Sequence, residues 1–326
     1  MMNRLISRFG ATTTAREVVE SIDLTGVTAI VTGGSSGIGI ETARALALAG
    51  ANVVIVARRA EQAIAVVASI SQELEQIGRG TIRFRLMDLA SFASIYRFVK
   101  EWKGQPLHLL INNAAVMACP LQRTVDGLEM QLGTNHMGHF LLSSLLLDVL
   151  EEGALQRGKV SRVVSLSSIG HRIGGLQWDD MNYERRPYDK WEAYGQAKTA
   201  NSLFAVGFYE RYRGKGLCAN AVMPGAIMTP LQRHMSHDEL RELGWIDEKG
   251  AVSQSFKTAE QGAATSVWAA VAPEFEQVGG FYLEDCGQAL AWEEASPWKG
   301  VQPHAIDKAS AARLWELSLG LLHAFF

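Results

Sequence analysis

The chain has 326 residues, 48% of them hydrophobic, enough to bury one large core. Its net charge of −3 leaves no basic footprint for nucleic acid, and no stretch reaches the ~18 apolar residues of a membrane span. Cys119, Cys218 and Cys286 lack metal or redox spacing, so a reduced, cytoplasmic protein is the plain reading; His136/His139 and His234/His237 lack partner ligands, so no metal is expected.

Residues 1–23 form an N-terminal extension with arginines and no acid before Glu17. Packing across the domain edge is the plain expectation, and a mitochondrial transit segment the alternative. Thr28–Val31 then reads as a short apolar strand, followed at once by Thr32-Gly-Gly-Ser-Ser-Gly-Ile-Gly39 and an alanine-rich helix ending at Gly50. Strand, glycine turn and helix in that order build a diphosphate site, because the free N–H groups and positive dipole end of the helix face the anion. The second strand, Asn52–Val56, leads into Ala57-Arg58-Arg59. An acid at that place would hold ribose hydroxyls and select NAD. Two guanidiniums suit a 2′-phosphate instead, so NADP(H) is expected over NAD(H), although one of the two arginines could simply solvate the loop.

Further strand runs follow at Thr81–Leu86, Leu107–Ile111, Val160–Leu166, Leu217–Val222 and Gly280–Leu283, with helical patterns between them, including 140–150 and 193–213. This alternation predicts a Rossmann-type doubly wound parallel α/β sheet of about seven strands with helices on both faces, in a single domain spanning 24–290. Ligands then sit at the carboxyl ends of the strands. Ser168 follows one such end. Tyr194 and Lys198 stand one helical turn apart in Tyr-Gly-Gln-Ala-Lys, where an ammonium beside a phenol favours phenolate and lowers the tyrosine pKa. Tyr96 and Lys100 make a second match of the same spacing, but Phe92, Ile95 and Val99 around them recur as a packing face. Thr258-Ala-Glu-Gln261 is a capping box. Between them, segment 231–255 scatters Leu231, Met235, Leu240, Leu243, Trp245 and Ile246 among charges, which predicts a substrate lid, with packing of a surface helix as the alternative. The tail, 291–326, ends in an apolar helix-like run from Leu314, suited to core, subunit contact or membrane surface, in that order.

Thr-Gly-x-x-x-Gly-x-Gly, Asn112-Asn-Ala-Ala115, Ser168 and Tyr194-x-x-x-Lys198, in this order, resemble the short-chain dehydrogenase/reductase family over about residues 24 to 285. Thr134-Asn-His-Met-Gly-His-Phe140, Tyr194–Asn201 and Lys257–Ala263 resemble its retinol-dehydrogenase-like and WW-domain-oxidoreductase-like branch, without a WW module. The resemblance implies a catalytic set of Asn135, Ser168, Tyr194 and Lys198, with Asn135 anchoring a water in a proton relay. It implies cofactor contacts from Gly33, Ser35, Ser36, Gly37, Ile38, Gly39, Arg58, Arg59, Asp88 (to the adenine), Leu89, Asn112, Ala114, Tyr194, Lys198, Pro224, Gly225 and Thr229 (to the nicotinamide amide). Ala115 stands where the family usually has glycine, and the gap from Ser168 to Tyr194 is long, as in that branch. Ser167 is an alternative to Ser168 that fits the branch less well. Asn113 is expected to tie strands together.

The expected function is therefore NADP(H)-dependent interconversion of a hydrophobic ketone or aldehyde and its alcohol, with a small apolar molecule as partner. A homo-oligomer, dimer or tetramer, is compatible with this. The alternative is a nucleotide-binding adaptor with little turnover.

Overall fold

The computed structural model describes residues 4–323. Eight strands lie in one sheet in the order β3-β2-β1-β4-β5-β6-β7-β8. They are β1 (Thr28–Thr32), β2 (Asn52–Ala57), β3 (Thr81–Leu86), β4 (Leu109–Asn112), β5 (Ser161–Leu166), β6 (Leu217–Met223), β7 (Tyr282–Glu284) and β8 (Gly287–Gln288). All neighbours pair in parallel except β7 with β8. The two-residue β8 exceeds the expected seven strands; Asp285 and Cys286, both with positive φ, turn the chain straight back.

The inner strands are apolar on both faces because helices cover both. One core layer takes Ala43, Leu46 and Ala47 from helix Ile38–Leu48, with Val267 and Trp268 from helix Ala259–Val271. The opposite layer takes Phe98, Phe140, Phe204, Phe208 and Trp315 from four other helices. Trp315 stacks on Phe204 with ring centroids 5.9 Å apart, so the tail helix Lys308–His323 belongs to the core. The tail's last three positions, and residues 1–3, lie outside the described residues. The N-terminal segment runs along the sheet edge, where Ser7 Oγ donates to Cys286 O at 2.6 Å and Ile6 bridges Gly287.

The chain leaves β1 toward β2 and β3, then returns to β4 on the other side of β1. That reversal opens a crevice at the carboxyl ends of β1 and β4. The helix expected over 140–150 is broken into two, Gly138–Leu145 and Leu147–Arg157, with Leu146 leaving helical geometry (φ −97°, ψ 6°). A wide π-helical turn, Gly133–Met137, precedes them and holds Asn135. The long stretch after Ser168 is fastened down: Tyr188 Oη donates to Cys119 O, and Met181 and Leu176 pack with Leu203 and Leu314.

Candidate active site

At the crevice lies a cavity of about 310 Å³. Its floor is the glycine turn. Gly33 (φ +65°) is held in the left-handed region, and a Cβ there would stand 2.9 Å from Ala114 Cα. Gly37 (φ +54°) caps helix Ile38–Leu48 with no side chain on its N–H groups, and a Cβ on it would lie 3.1 Å from Thr229 Cγ2. The helix start thus presents bare donors and a positive dipole end to the cavity, across a backbone with no room for side chains.

Gly33, Ser35, Ser36, Gly37 and Ile38 line one stretch of the wall, with Arg58 and Arg59 beyond β2 and Asp88 and Leu89 beyond β3. Ala114, Ser168, Tyr194, Lys198, Pro224, Gly225 and Thr229 line the rest. Three of the expected residues stand behind the wall. A Cβ at Gly39 would run into Gly33 O, so its contribution is the tightness of the turn. Asn112 is buried and donates Nδ2–H to Ser143 Oγ at 3.0 Å. Asn135 exchanges both amide bonds with the backbone of Val116, at 2.8 and 2.9 Å, while its carbonyl oxygen accepts from His139 Nδ1 at 2.9 Å. Asn113 donates Nδ2–H to Thr32 O at 2.7 Å and so ties the ends of β1 and β4 together.

Helix Lys190–Tyr212 carries Tyr194 and Lys198 into the cavity side by side, the ammonium 5.6 Å from the phenol ring centroid. Lys198 Nζ donates to Leu166 O at 2.8 Å. Ser168, at the carboxyl end of β5, shares a hydrogen bond with the Tyr194 hydroxyl. Ser167 instead points inward, donating to Lys198 O at 2.9 Å. Tyr96 lies on the separate helix Phe92–Trp102 and takes no part in the wall.

Burial reverses one expectation about this pair. It pushes the Tyr194 phenol up, to about 12, against the opposing hydrogen bond of Ser168. The same burial pushes Lys198 down to about 7. An ammonium whose own charge is disfavoured is a weak source of phenolate stabilisation, so desolvation outweighs the lysine field at Tyr194.

Above the tyrosine the wall is apolar. Met117, Leu231 and Trp245 line it there, and Ala118, Met235, Leu240, Ile246 and Trp191 pack with them and Tyr194 behind the wall. Of the larger apolar residues in segment 231–255, Leu243 and Val252 face solvent, at 47% and 44% exposure, and the others are buried or half-buried. The segment folds as a short helix, His237–Glu242, capped by Ser236 and held to the Tyr194 helix by the Lys190–Glu239 ion pair. Arg233 also lines the cavity and was not singled out by the sequence; it sits in a charged run with no periodicity that would mark it.

The residues fit a dinucleotide: bare helix-start donors, a glycine cradle that side chains would fill, and arginines without carboxylate partners among the described residues. Comparison with known proteins agrees. The short chain dehydrogenase family model matches residues 27–240. A Streptomyces lividans protein named "Probable oxidoreductase" is 43% identical over 93% of this chain and 100% of its own length. Retinol dehydrogenase 11 of Mus musculus is 36% identical over 93% of this chain and 88% of its own. A crystal structure of a Mycobacterium paratuberculosis protein superposes with a TM-score of 0.69 at 30% identity, covering 93% of this chain and 96% of that one. With its parallel sheet, glycine turn and Ser168–Tyr194–Lys198 cluster, the chain belongs to the short-chain dehydrogenase/reductase family, oxidoreductases that work with a nicotinamide cofactor.

Proposed function

We propose that the protein is an NADP(H)-dependent reductase of bulky apolar ketones or aldehydes, and in the reverse direction a dehydrogenase of the corresponding alcohols. The observation that carries this is a single cavity with opposed ends. Arginines without carboxylate partners among the described residues stand at one end, and at the other a buried phenol shares the wall with Met117, Leu231, Trp245 and Phe256.

A bound nicotinamide supplies the hydride in reduction and accepts it in oxidation. Ser168 Oγ holds the substrate oxygen and polarises the carbonyl, so its carbon is the electrophile. As that carbon gains a hydride, the C=O π pair moves to oxygen, which takes the proton from Tyr194. A phenol held up to about 12 is fully protonated at neutral pH, the form this step requires. The phenolate left behind is stabilised by Lys198, whose charged form an anion within a helical turn favours. Asn135 acts from behind the wall by fixing the Val116 backbone, which lines the cavity.

The residues from Leu231 to Ser255 would close over the substrate, with Leu231 and Trp245 on the cavity wall and Lys190–Glu239 fastening them to the Tyr194 helix. An apolar wall with few polar anchors favours bulky, weakly polar molecules. The test is consumption of NADPH, and separately NADH, with a panel of hydrophobic ketones and aldehydes of increasing size. Turnover with NADPH that rises with substrate bulk is expected. Cofactor binding without turnover of any carbonyl would make the chain a nucleotide-binding adaptor instead.

A further inference from the structure

Arg233 stands where two parts of the cavity meet. Thr229 caps the short turn Pro230–Gln232, and Gln232 Nε2 donates to Ile227 O at 2.9 Å, which fixes the direction in which the chain leaves for residues 231–255. Thr229 itself abuts Gly37 of the glycine turn. Arg233 is therefore carried by the substrate-covering segment, yet it lines the same cavity as Arg58 and Arg59, which come from the end of β2. One Arg233 N–H reaches Pro230 O at 2.9 Å, and no carboxylate pairs with Arg58, Arg59 or Arg233 among the described residues. The carboxylate in this wall, Asp88, instead accepts from Ala90 N at 3.0 Å.

Like charges on the wall of one cavity repel unless an anion lies between them. The field is felt locally: after desolvation, Arg58 and then Arg59 push the Arg233 pKa down, and Arg233 and Arg58 do the same to neighbouring His234. A doubly charged phosphate is the ligand that turns such repulsion into charge-assisted hydrogen bonds.

We propose that Arg233 is a third ligand of the 2′-phosphate of NADP(H), so that the phosphorylated cofactor, and not NAD(H), fastens the segment 231–255 over the substrate. This rests on the NADP(H) reading above and adds a coupling to it. The cofactor's phosphate end would prepare the apolar wall at the far end of the cavity, which ties substrate closure to the choice of cofactor.

The experiment uses 2′,5′-ADP and ADP, isomers whose second phosphate stands on the 2′-oxygen in the first and on the 5′-phosphate in the second; both lack the nicotinamide. Affinities are measured for the unmodified protein, Arg58→Ala, Arg233→Gln and Arg233→Lys, together with tryptic cleavage at exposed Arg241 and Lys249. Arg233→Gln should weaken 2′,5′-ADP about ten- to a hundredfold and leave ADP within about twofold, with Arg233→Lys in between. In the unmodified protein 2′,5′-ADP should slow cleavage and ADP should not, and Arg233→Gln should abolish that protection. If Arg58→Ala loses 2′,5′-ADP affinity but Arg233→Gln does not, or loses both ligands alike, the inference fails and the NADP(H) reading stands. If the unmodified protein binds both ligands equally, the NADP(H) reading fails and takes this inference with it.

Discussion

Lys198 Nζ lies 5.6 Å from the centre of the Tyr194 ring, one turn along the same buried helix, and desolvation drives the two groups in opposite directions on the pH scale. The phenol goes up to about 12 and the ammonium down to about 7, so each approaches its neutral form. Holding the Lys198 ammonium at this depth therefore costs the folded chain electrostatic free energy.

The cost can be measured. Lys198→Met should raise the stability of the ligand-free protein by about 1 kcal/mol or more at pH 6, while abolishing most turnover. The Leu166 carbonyl keeps a partner in the variant, because Asn201 Nδ2 also donates to it at 2.9 Å. The sign with pH follows from linkage. Between about 7, the folded value, and ~10.4, the unfolded value, the unfolded chain holds a proton that the folded chain has lost. Rising pH therefore stabilises the unmodified protein across that window. The advantage of Lys198→Met should be greatest below pH 7 and fade toward pH 10, in denaturant melts run at several pH values. An advantage that grows with pH would contradict the assignment.

Cofactor choice should rest on the arginines after β2. Arg58→Ala should weaken NADPH roughly ten- to a hundredfold, the worth of one charge-assisted contact, ~1.5–3 kcal/mol, and scarcely change NADH. Titration calorimetry with both cofactors checks this. Equal affinity of the unmodified protein for NADPH and NADH would remove its basis.

Substrate size should be read by Trp245. Its ring meets Trp191 edge-on at 6.1 Å and Phe256 at 5.8 Å, so it braces the segment over the apolar wall. Trp245→Ala should lower kcat/KM for a fused-ring or long-chain carbonyl by roughly two- to tenfold, the scale of one lost aromatic contact of ~0.5–1.5 kcal/mol. A short ketone should be affected less. Preference for the short ketone, unchanged by the substitution, would leave the reductase chemistry but remove the lid.

Much of this site is written in local sequence. The glycine turn, the strand ends and the spacing of Tyr194 and Lys198 are short-range features, so their period and order identify them before any folding is known. Ser167 and Ser168 could also be told apart by family resemblance, and geometry then shows one inward and one facing the phenol. What the sequence hid depends on depth and on long-range meeting. The upward shift of Tyr194 comes from burial by residues such as Met235 and Leu240, far away along the chain. The break at Leu146 interrupts a run of leucines that reads as continuous helix. Arg233 reaches the cavity that Arg58 lines only because the Thr229 loop closes on Gly37, which no pattern near either arginine announces. Asn112 and Asn135 match family positions, but only the fold shows that their amides face inward, away from the cavity.

The role of Tyr194 as proton donor is tested by comparing three proteins. NADPH consumption with a hydrophobic ketone is measured for the unmodified protein, Tyr194→Phe and Tyr96→Phe, with NADPH affinity determined for each. Tyr194→Phe should cost ~10² to 10⁴ in rate, the usual contribution of a positioned proton donor, and bind NADPH as before. Tyr96→Phe should keep its activity, since it lies on helix Phe92–Trp102 outside the cavity wall. Similar rates for the two variants would contradict the assignment of Tyr194.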